Sequence, residues 1–134
     1  MERHSQNALE IAKWLEARSD VTKVHYAGLE SSKWHERSAK YLPNGNGAIV
    51  AFELAGGIEA GKSFINNLEL VSHLANIGDA KTLVIHPAST THQQMSDDQL
   101  DAAGIGADLI RLSVGLEDLD DIVWDLDRAL RSVS

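Results

Sequence analysis

The sequence contains no cysteine, which excludes disulfide bridges and metal sites built from thiolates. It also lacks any apolar run near the roughly 20 residues that cross a membrane. Basic residues are few: 12 Lys and Arg stand against 20 Asp and Glu, for a formal net charge of −8. This balance argues against nucleic acid or an anionic membrane as a partner, because both require a positive surface. A small anionic ligand is compatible with it, since such a ligand needs only one local cation.

A length of 134 residues with 43% hydrophobic residues predicts a single domain over 1–134, with a sizeable core. The first ten residues, MERHSQNALE, do not follow the basic-then-apolar pattern of a secretory signal. We therefore expect a cytoplasmic protein.

Hydrophobic periodicity predicts helices and short strands in alternation. The predicted helices are 5–17 with Ser5 as N-cap, 34–41, 58–68, a short helix that begins at the capping box of Ser96 and ends at Gly104, and 119–131. The predicted strands are 21–26, 48–54, 70–75, 82–85 and 109–114. Because 48–54 is almost continuously apolar, we expect that strand to be covered on both faces. Together these elements predict an α/β (α+β) two-layer sandwich, in which helices cover one sheet of four or five strands.

The stretch 109–117, LIRLSVGLE, places one arginine among branched aliphatic residues. Alternation along a strand puts Ile110, Leu112 and Val114 on one face and Arg111 on the other. A guanidinium cannot lose its charge, and burying it without a partner costs several kcal/mol. Arg111 therefore reaches water at a sheet edge, pairs inside the protein, or binds an outside carboxylate. Asp108 is the nearest internal candidate, although alternation places it on the opposite face.

The six histidines offer no pair at the spacing of a zinc-binding helix, so no metal ligand is expected. His86 and His92 flank one loop and could converge, but a hydrogen-bonded structural role is the commoner one. The hydroxyls of Ser89, Thr90 and Thr91 are expected to bond the backbone.

Neither Lys62 nor Lys81 lies in an apolar cluster that would lower its pKa for covalent chemistry, so both are expected to be solvated. The acidic run 117–121 is interpreted as capping of the last helix.

Two long motifs, FINNLELVSHLANIGDAKTLVIHPASTTHQQMS and LIRLSVGLEDLDDIVWDLDRAL, resemble the C-terminal domain of the Cys/Met-metabolism family of pyridoxal phosphate (PLP) enzymes. The segments NIGDAKTLV and HPASTTH are most similar to the family's O-acetylhomoserine sulfhydrylases. MERHSQNALEIAKWLEA resembles the helix that leads into that domain, and KYLPNGNGAIVAFELAGG the loop and strand after it. The resemblance covers essentially the whole chain. It implies the small C-terminal domain of a fold-type-I enzyme, with a mostly antiparallel sheet and helices on one face.

By this resemblance, Arg111 binds the α-carboxylate of an amino-acid substrate and Asn76 lies beside it. The implied reaction is a γ-replacement, in which sulfide displaces acetate from O-acetylhomoserine to give homocysteine. The implied cofactor is PLP, held by a large domain that is absent here, so we expect this chain alone to bind no cofactor and to be inactive. No catalytic, cofactor-binding or metal residue is assigned within it.

Two other interpretations remain. The chain could be a non-catalytic ligand-binding or interaction domain that kept this fold, or a fragment of a cystathionine γ-synthase or lyase relative. The 76–78 sequence Asn-Ile-Gly disfavours the second, since those enzymes usually show Ser-Leu-Gly there. A homo-oligomer is expected for the intact enzyme. Apolar surface around the first helix and Trp34 is expected to be exposed where the large domain would pack.

Overall fold

A computed structural model describes residues 1–90 and 93–133, and it has the alternation of helices and strands that the sequence predicts. The helices are α1 (Glu2–Glu16), α2 (His35–Tyr41), α3 (Gly57–Asn66), α4 (Asp97–Ala102) and α5 (Leu119–Arg131). The strands are β1 (Val21–His25), β2 (Ile49–Leu54), β3 (Ser72–His73), β4 (Leu83–Ile85) and β5 (Leu109–Ser113). The α/β prediction is confirmed. None of the helices in the described ranges is long and apolar enough to span a membrane.

The five strands form one sheet in the order β1-β2-β5-β4-β3. All neighbouring pairs are antiparallel except β3 and β4, which are parallel. The last strand in sequence, β5, is therefore the central strand in space. Over residues 111–113 it lies between β2 and β4, so this part of the strand has a partner on each side.

Helices α1, α3 and α5 cover one face of this sheet. Val50, Phe52, Ile110 and Leu112 point into that layer, and all four are fully buried. The ring of Phe52 meets that of Phe64 on α3 edge-on, with centroids 5.7 Å apart. Burying each such side chain contributes about 1.5–3 kcal/mol, so this interface supplies much of the folding free energy.

The other face of the sheet is more open than the sequence predicts. Along β2, buried residues alternate with partly exposed ones, so the expectation that 48–54 is covered on both faces is wrong. The partly exposed positions are apolar at Ile49 and Ala51, which explains why the run looked continuously buried. This open face carries Arg111, whose strand neighbours are Ala51 on β2 and Ile85 on β4.

Capping was predicted correctly for one helix and wrongly for another. Ser96 forms a complete capping box with Gln99 at the start of α4. Ser5, the predicted N-cap of the first helix, lies inside α1, which begins one turn earlier after Met1. Its hydroxyl instead accepts a hydrogen bond from the backbone N–H of Gly47, 3.1 Å away, and so ties α1 to the loop before β2.

Gly61 lies inside α3, where a glycine normally weakens a helix, because the buried ring of His86 packs directly against it. A Cβ at this position would lie 2.8 Å from Cδ2 of His86. Neither the ring nor the helix can move aside without disturbing the core, so the close approach requires glycine.

Gly61→Ala should therefore destabilise the chain by about 1–3 kcal/mol, as overpacking does, although helix propensity alone predicts a gain. The check is urea denaturation beside Lys62→Ala, an exposed neighbour on the same helix that should stay within about 0.5 kcal/mol of the wild type. A Gly61→Ala variant as stable as the wild type would show that the contact with His86 is not limiting.

Candidate functional site

Arg111 lies at the middle of the sheet, on the central strand and on the open face. The alternation predicted for its strand is confirmed, since Ile110, Leu112 and Val114 are fully buried among the helices. The sheet-edge explanation for Arg111 is wrong, because β5 has a partner strand on both sides. The strand neighbours of Arg111, Ala51 and Ile85, are apolar, and its side chain is partly exposed on the open face.

The guanidinium of Arg111 has spare hydrogen-bonding capacity. Nη2 donates to the backbone carbonyl of Asn76 at 3.4 Å, which is a long hydrogen bond. Nε is buried and has no partner. Among the residues that the structure describes, no carboxylate comes within 4.0 Å of the guanidinium, so the internal pairing with Asp108 is not formed. A guanidinium has five N–H donors, so the one in Arg111 can donate two parallel hydrogen bonds to a carboxylate.

Asn76 meets Arg111 through its main chain. Its side chain is engaged locally: Oδ1 accepts from the N–H of Ile77 at 2.9 Å, and Nδ2 donates to Asp79 at 3.3 Å. The structure thus brings the two predicted site residues together, with the carbonyl of Asn76 facing the arginine and its exposed side chain shaping the turn.

Residues 76–82, which we call the 76–82 turn, are held from two sides. Nε2 of buried His4 lies 2.9 Å from the carbonyl of Asp79 and donates to it, because a carbonyl oxygen can only accept. On the other side, the N–H of Leu116 donates to the carbonyl of Ala80 at 2.8 Å. The beginning of α1 and the segment after β5 therefore both fix the middle of the turn.

The end of the 76–82 turn is bound by Glu117. Its two carboxylate oxygens accept from the backbone N–H of Thr82 at 2.7 Å and from the Thr82 hydroxyl at 2.6 Å. The same hydroxyl accepts from the N–H of Gly115 at 2.9 Å. The interpretation of the run 117–121 as helix capping is confirmed for Asp118, which caps α5 through the N–H of Asp120, but it is wrong for Glu117.

Gly115 allows this approach. A Cβ there would lie 2.4 Å from the carbonyl oxygen of Ala80, much closer than real Cβ atoms come to backbone. The LIRLSVGLE stretch therefore combines one anion-binding candidate, Arg111, with two residues that dock the neighbouring turn, Gly115 and Glu117. The sequence offered only a weak signal for Glu117, because its partner Thr82 is 35 residues away.

His86 has a structural role. It is fully buried, its Nε2 donates to the carbonyl of Ala107 at 2.6 Å, and its Nδ1 lies 2.7 Å from the hydroxyl of Ser89. The Thr90 hydroxyl donates to the carbonyl of His86, as predicted for this loop. His92 and Thr91 lie outside the described residues, so the proposed convergence of His86 with His92 is not addressed. No cluster of potential metal ligands occurs in the ranges 1–90 and 93–133.

The lysines do not fit a cofactor site. All six are exposed, and Lys62 pairs at 3.6 Å with Glu59 on its own helix. A lysine that forms a covalent bond to PLP needs an environment that lowers its pKa, which requires desolvation or nearby cations. Within this chain no lysine has the required burial.

Comparison with known proteins gives a consistent result over the whole chain. A family model described as Cys/Met metabolism PLP-dependent enzyme matches residues 1–131. The O-acetyl-L-homoserine sulfhydrylase of Leptospira meyeri is 52% identical over 134 residues, which are 99% of this chain and 30% of that protein. The homocysteine synthase of Schizosaccharomyces pombe is 51% identical over 97% of this chain, again 30% of its own length.

A solved structure supports the same relationship. It is described as an O-acetylhomoserine (thiol)-lyase from Campylobacter jejuni and carries a pyridoxyl-lysine phosphate. It superposes with a TM-score of 0.91 at 41% identity, covering 98% of this chain and 31% of that one. The chain thus spans about a third of the length of each of these relatives.

Proposed function

The chain belongs to the Cys/Met metabolism family of PLP-dependent enzymes, and we propose that it forms the C-terminal, substrate-carboxylate-binding domain of an O-acetylhomoserine sulfhydrylase. The observation that carries this proposal is the guanidinium of Arg111, which lies on the central strand and has no carboxylate partner within residues 1–90 and 93–133. In the whole enzyme, sulfide takes the place of acetate at the γ-carbon of O-acetylhomoserine and homocysteine results. Arg111 holds the α-carboxylate, and the backbone of Asn76 lies beside it.

The cofactor belongs to the part of the enzyme outside this chain. When bound, PLP supplies the electron sink that this replacement needs. The six exposed lysines here do not fit it, so the lysine-bearing site is assigned to a large domain. The contribution of this chain is to bind the substrate's α-carboxylate, a group that does not itself react.

The surface around the 76–82 turn suits a covering domain. Leu74 and Ile77 are 56% and 66% exposed, and Leu116, whose N–H binds Ala80 of the turn, is 40% exposed. Exposed large apolar side chains on the turn and the segments around it indicate a surface that is covered in the intact enzyme. We assign that cover to the large domain. Trp34, 49% exposed, also matches the predicted exposure, and Met1, directly before α1, is exposed as well. The intact enzyme is proposed to be a homo-oligomer.

The proposal is tested by comparing the full-length enzyme with the 134-residue chain. The full-length enzyme with PLP should convert O-acetylhomoserine and sulfide to homocysteine, and should prefer them to cystathionine. The isolated chain should make no product, and PLP added to it should show no absorbance change from covalent capture by a lysine. A captured cofactor on the isolated chain, or a preference of the full-length enzyme for cystathionine, would contradict the proposal.

The non-catalytic alternative makes the opposite prediction for the gene. If the reading frame does not continue upstream into a lysine-bearing domain, the chain is an independent binding domain. An upstream continuation that encodes such a domain excludes this alternative.

A further inference from the structure

We propose that Glu117 is a positioning residue for the carboxylate site, because it docks the 76–82 turn against the end of β5 and so sets the place of the Asn76 carbonyl at Arg111. This inference rests on the proposed function. Glu117 itself touches neither Arg111 nor Asn76. It acts through Thr82 and the main chain between them.

The first support is the closed network around the Thr82 hydroxyl. That hydroxyl donates to Glu117 at 2.6 Å and accepts from Gly115 at 2.9 Å, while the Thr82 N–H donates to the other carboxylate oxygen at 2.7 Å. Hydrogen bonds to an ionised acceptor are short and roughly twice as strong as neutral ones. Both oxygens of Glu117 are therefore used on one residue of the turn.

The hydrogen bond between Arg111 and Asn76 is too weak to fix the position of the turn. The Arg111–Asn76 hydrogen bond measures 3.4 Å and cannot by itself hold a turn whose residues Asn76, Ile77 and Gly78 are exposed. The turn is fixed by its stronger bonds to His4, Leu116 and Glu117. Of these three, Glu117 is the one that binds the turn through two side-chain hydrogen bonds, so it is the contact that substitution tests most cleanly.

The consequence is a specific kinetic signature. A misplaced 76–82 turn alters the environment of Arg111, and the carboxylate held by Arg111 does not react. Binding of such a remote group is shared by ground state and transition state, so its loss raises KM and leaves kcat nearly unchanged. A merely structural role would instead lower thermal stability and the amount of active enzyme without moving KM.

The test uses the full-length enzyme that carries this chain. Glu117→Ala should raise KM for O-acetylhomoserine roughly two- to thirtyfold, the usual range for indirect coupling, with kcat within about twofold. Glu117→Gln keeps one acceptor oxygen and the length of the side chain. The increase in log KM should therefore be at most half of the increase caused by Glu117→Ala. Arg18→Ala is the control, because Arg18 donates to Asp20 and Asp127 beyond the C-terminal end of α1, so its loss should lower thermal stability without changing KM.

A second pair of variants decides the matter if Glu117→Ala does not fold. Thr82→Val removes the hydroxyl at nearly constant shape and should raise KM in the same way, whereas Thr82→Ser keeps the hydroxyl and should not. If folded Glu117→Ala or Thr82→Val enzymes have the wild-type KM and Arg111→Ala still raises KM, the role of Glu117 is refuted and the role of Arg111 stands. If Arg111→Ala also leaves KM unchanged, the proposed function itself fails.

Discussion

Arg111→Ala in the full-length enzyme is expected to lower kcat/KM for O-acetylhomoserine by on the order of 30- to several thousand-fold, equivalent to about 2–5 kcal/mol for a lost, desolvated charge pair. The physical reason is the position of the side chain. It projects from the central strand between Ala51 and Ile85, and among the described residues its one hydrogen bond is a long one to the carbonyl of Asn76. Removing it leaves the carboxylate without a cation, and no other charged donor of this strand can replace it.

Two further variants give this experiment its specificity. Arg111→Lys keeps the charge and loses the two-point fork, so it should fall between the wild type and Arg111→Ala. Arg37→Ala removes an exposed arginine whose guanidinium lies over the ring of Trp34, far along the chain from β5, and should leave the kinetics unchanged. Steady-state kinetics over a range of O-acetylhomoserine concentrations checks all three. An Arg111→Ala enzyme within about twofold of the wild type would exclude a carboxylate-binding role.

Asp125→Asn is expected to cost about 3–5 kcal/mol of folding free energy, the usual loss when one partner of a buried charged network is removed. Asp125 lies on α5 and is fully buried. Its carboxylate accepts from the backbone N–H groups of Glu69, Leu70 and Val71 at 2.8–3.2 Å and from Arg128 at 2.9 Å. An amide would place an N–H group against donors that already need an acceptor, and the segment before β3 would lose its anchor.

Urea denaturation of the 134-residue chain measures this loss. Asp121→Asn is the matched control, because Asp121 is an exposed carboxylate on the same helix and its substitution should stay within about 0.5 kcal/mol. Loss of stability of the same small size in both variants would show that the buried network contributes little.

The same group predicts a pH dependence. Burial raises the pKa of the Asp125 carboxyl, but the three backbone N–H donors and Arg128 lower it more, so its pKa lies below the ordinary value of 3.8. A group whose pKa is lowered by folding stabilises the fold above its unfolded-state pKa, and this stabilisation is lost as the pH falls through the folded value. The wild type should therefore lose stability on acidification below about pH 4, and Asp125→Asn should lack that part of the dependence.

Local patterns were sufficient to predict most elements of the fold. The apolar stripe of α5 and the capping box at Ser96 depend on residues three or four apart, and both are confirmed. The alternation around Arg111 is equally local and was also correct. The apolar run of β2 was misinterpreted, because a strand whose outer residues are Ile49 and Ala51 looks the same whether that face is covered or open.

The features that could not be predicted depend on the order of the strands in the sheet and on contacts between residues distant in sequence. Alternation places Arg111 on a face, but only the order β1-β2-β5-β4-β3 shows that its strand is central. Glu117 was interpreted as a cap because its true partner, Thr82, is distant in sequence. Asp125 carried a detectable signal that was not used: it is a charged residue within the apolar stripe formed by Ile122, Leu126 and Ala129.

The contact between Arg111 and the substrate is best examined in a crystal structure of the full-length enzyme with a bound amino acid. We expect the α-carboxylate to lie about 2.7–2.9 Å from the guanidinium nitrogens of Arg111, with the backbone of Asn76 beside it. We also expect the large domain to cover Ile77 and Leu116. A carboxylate bound to another cation, with Arg111 turned to solvent, would contradict this expectation.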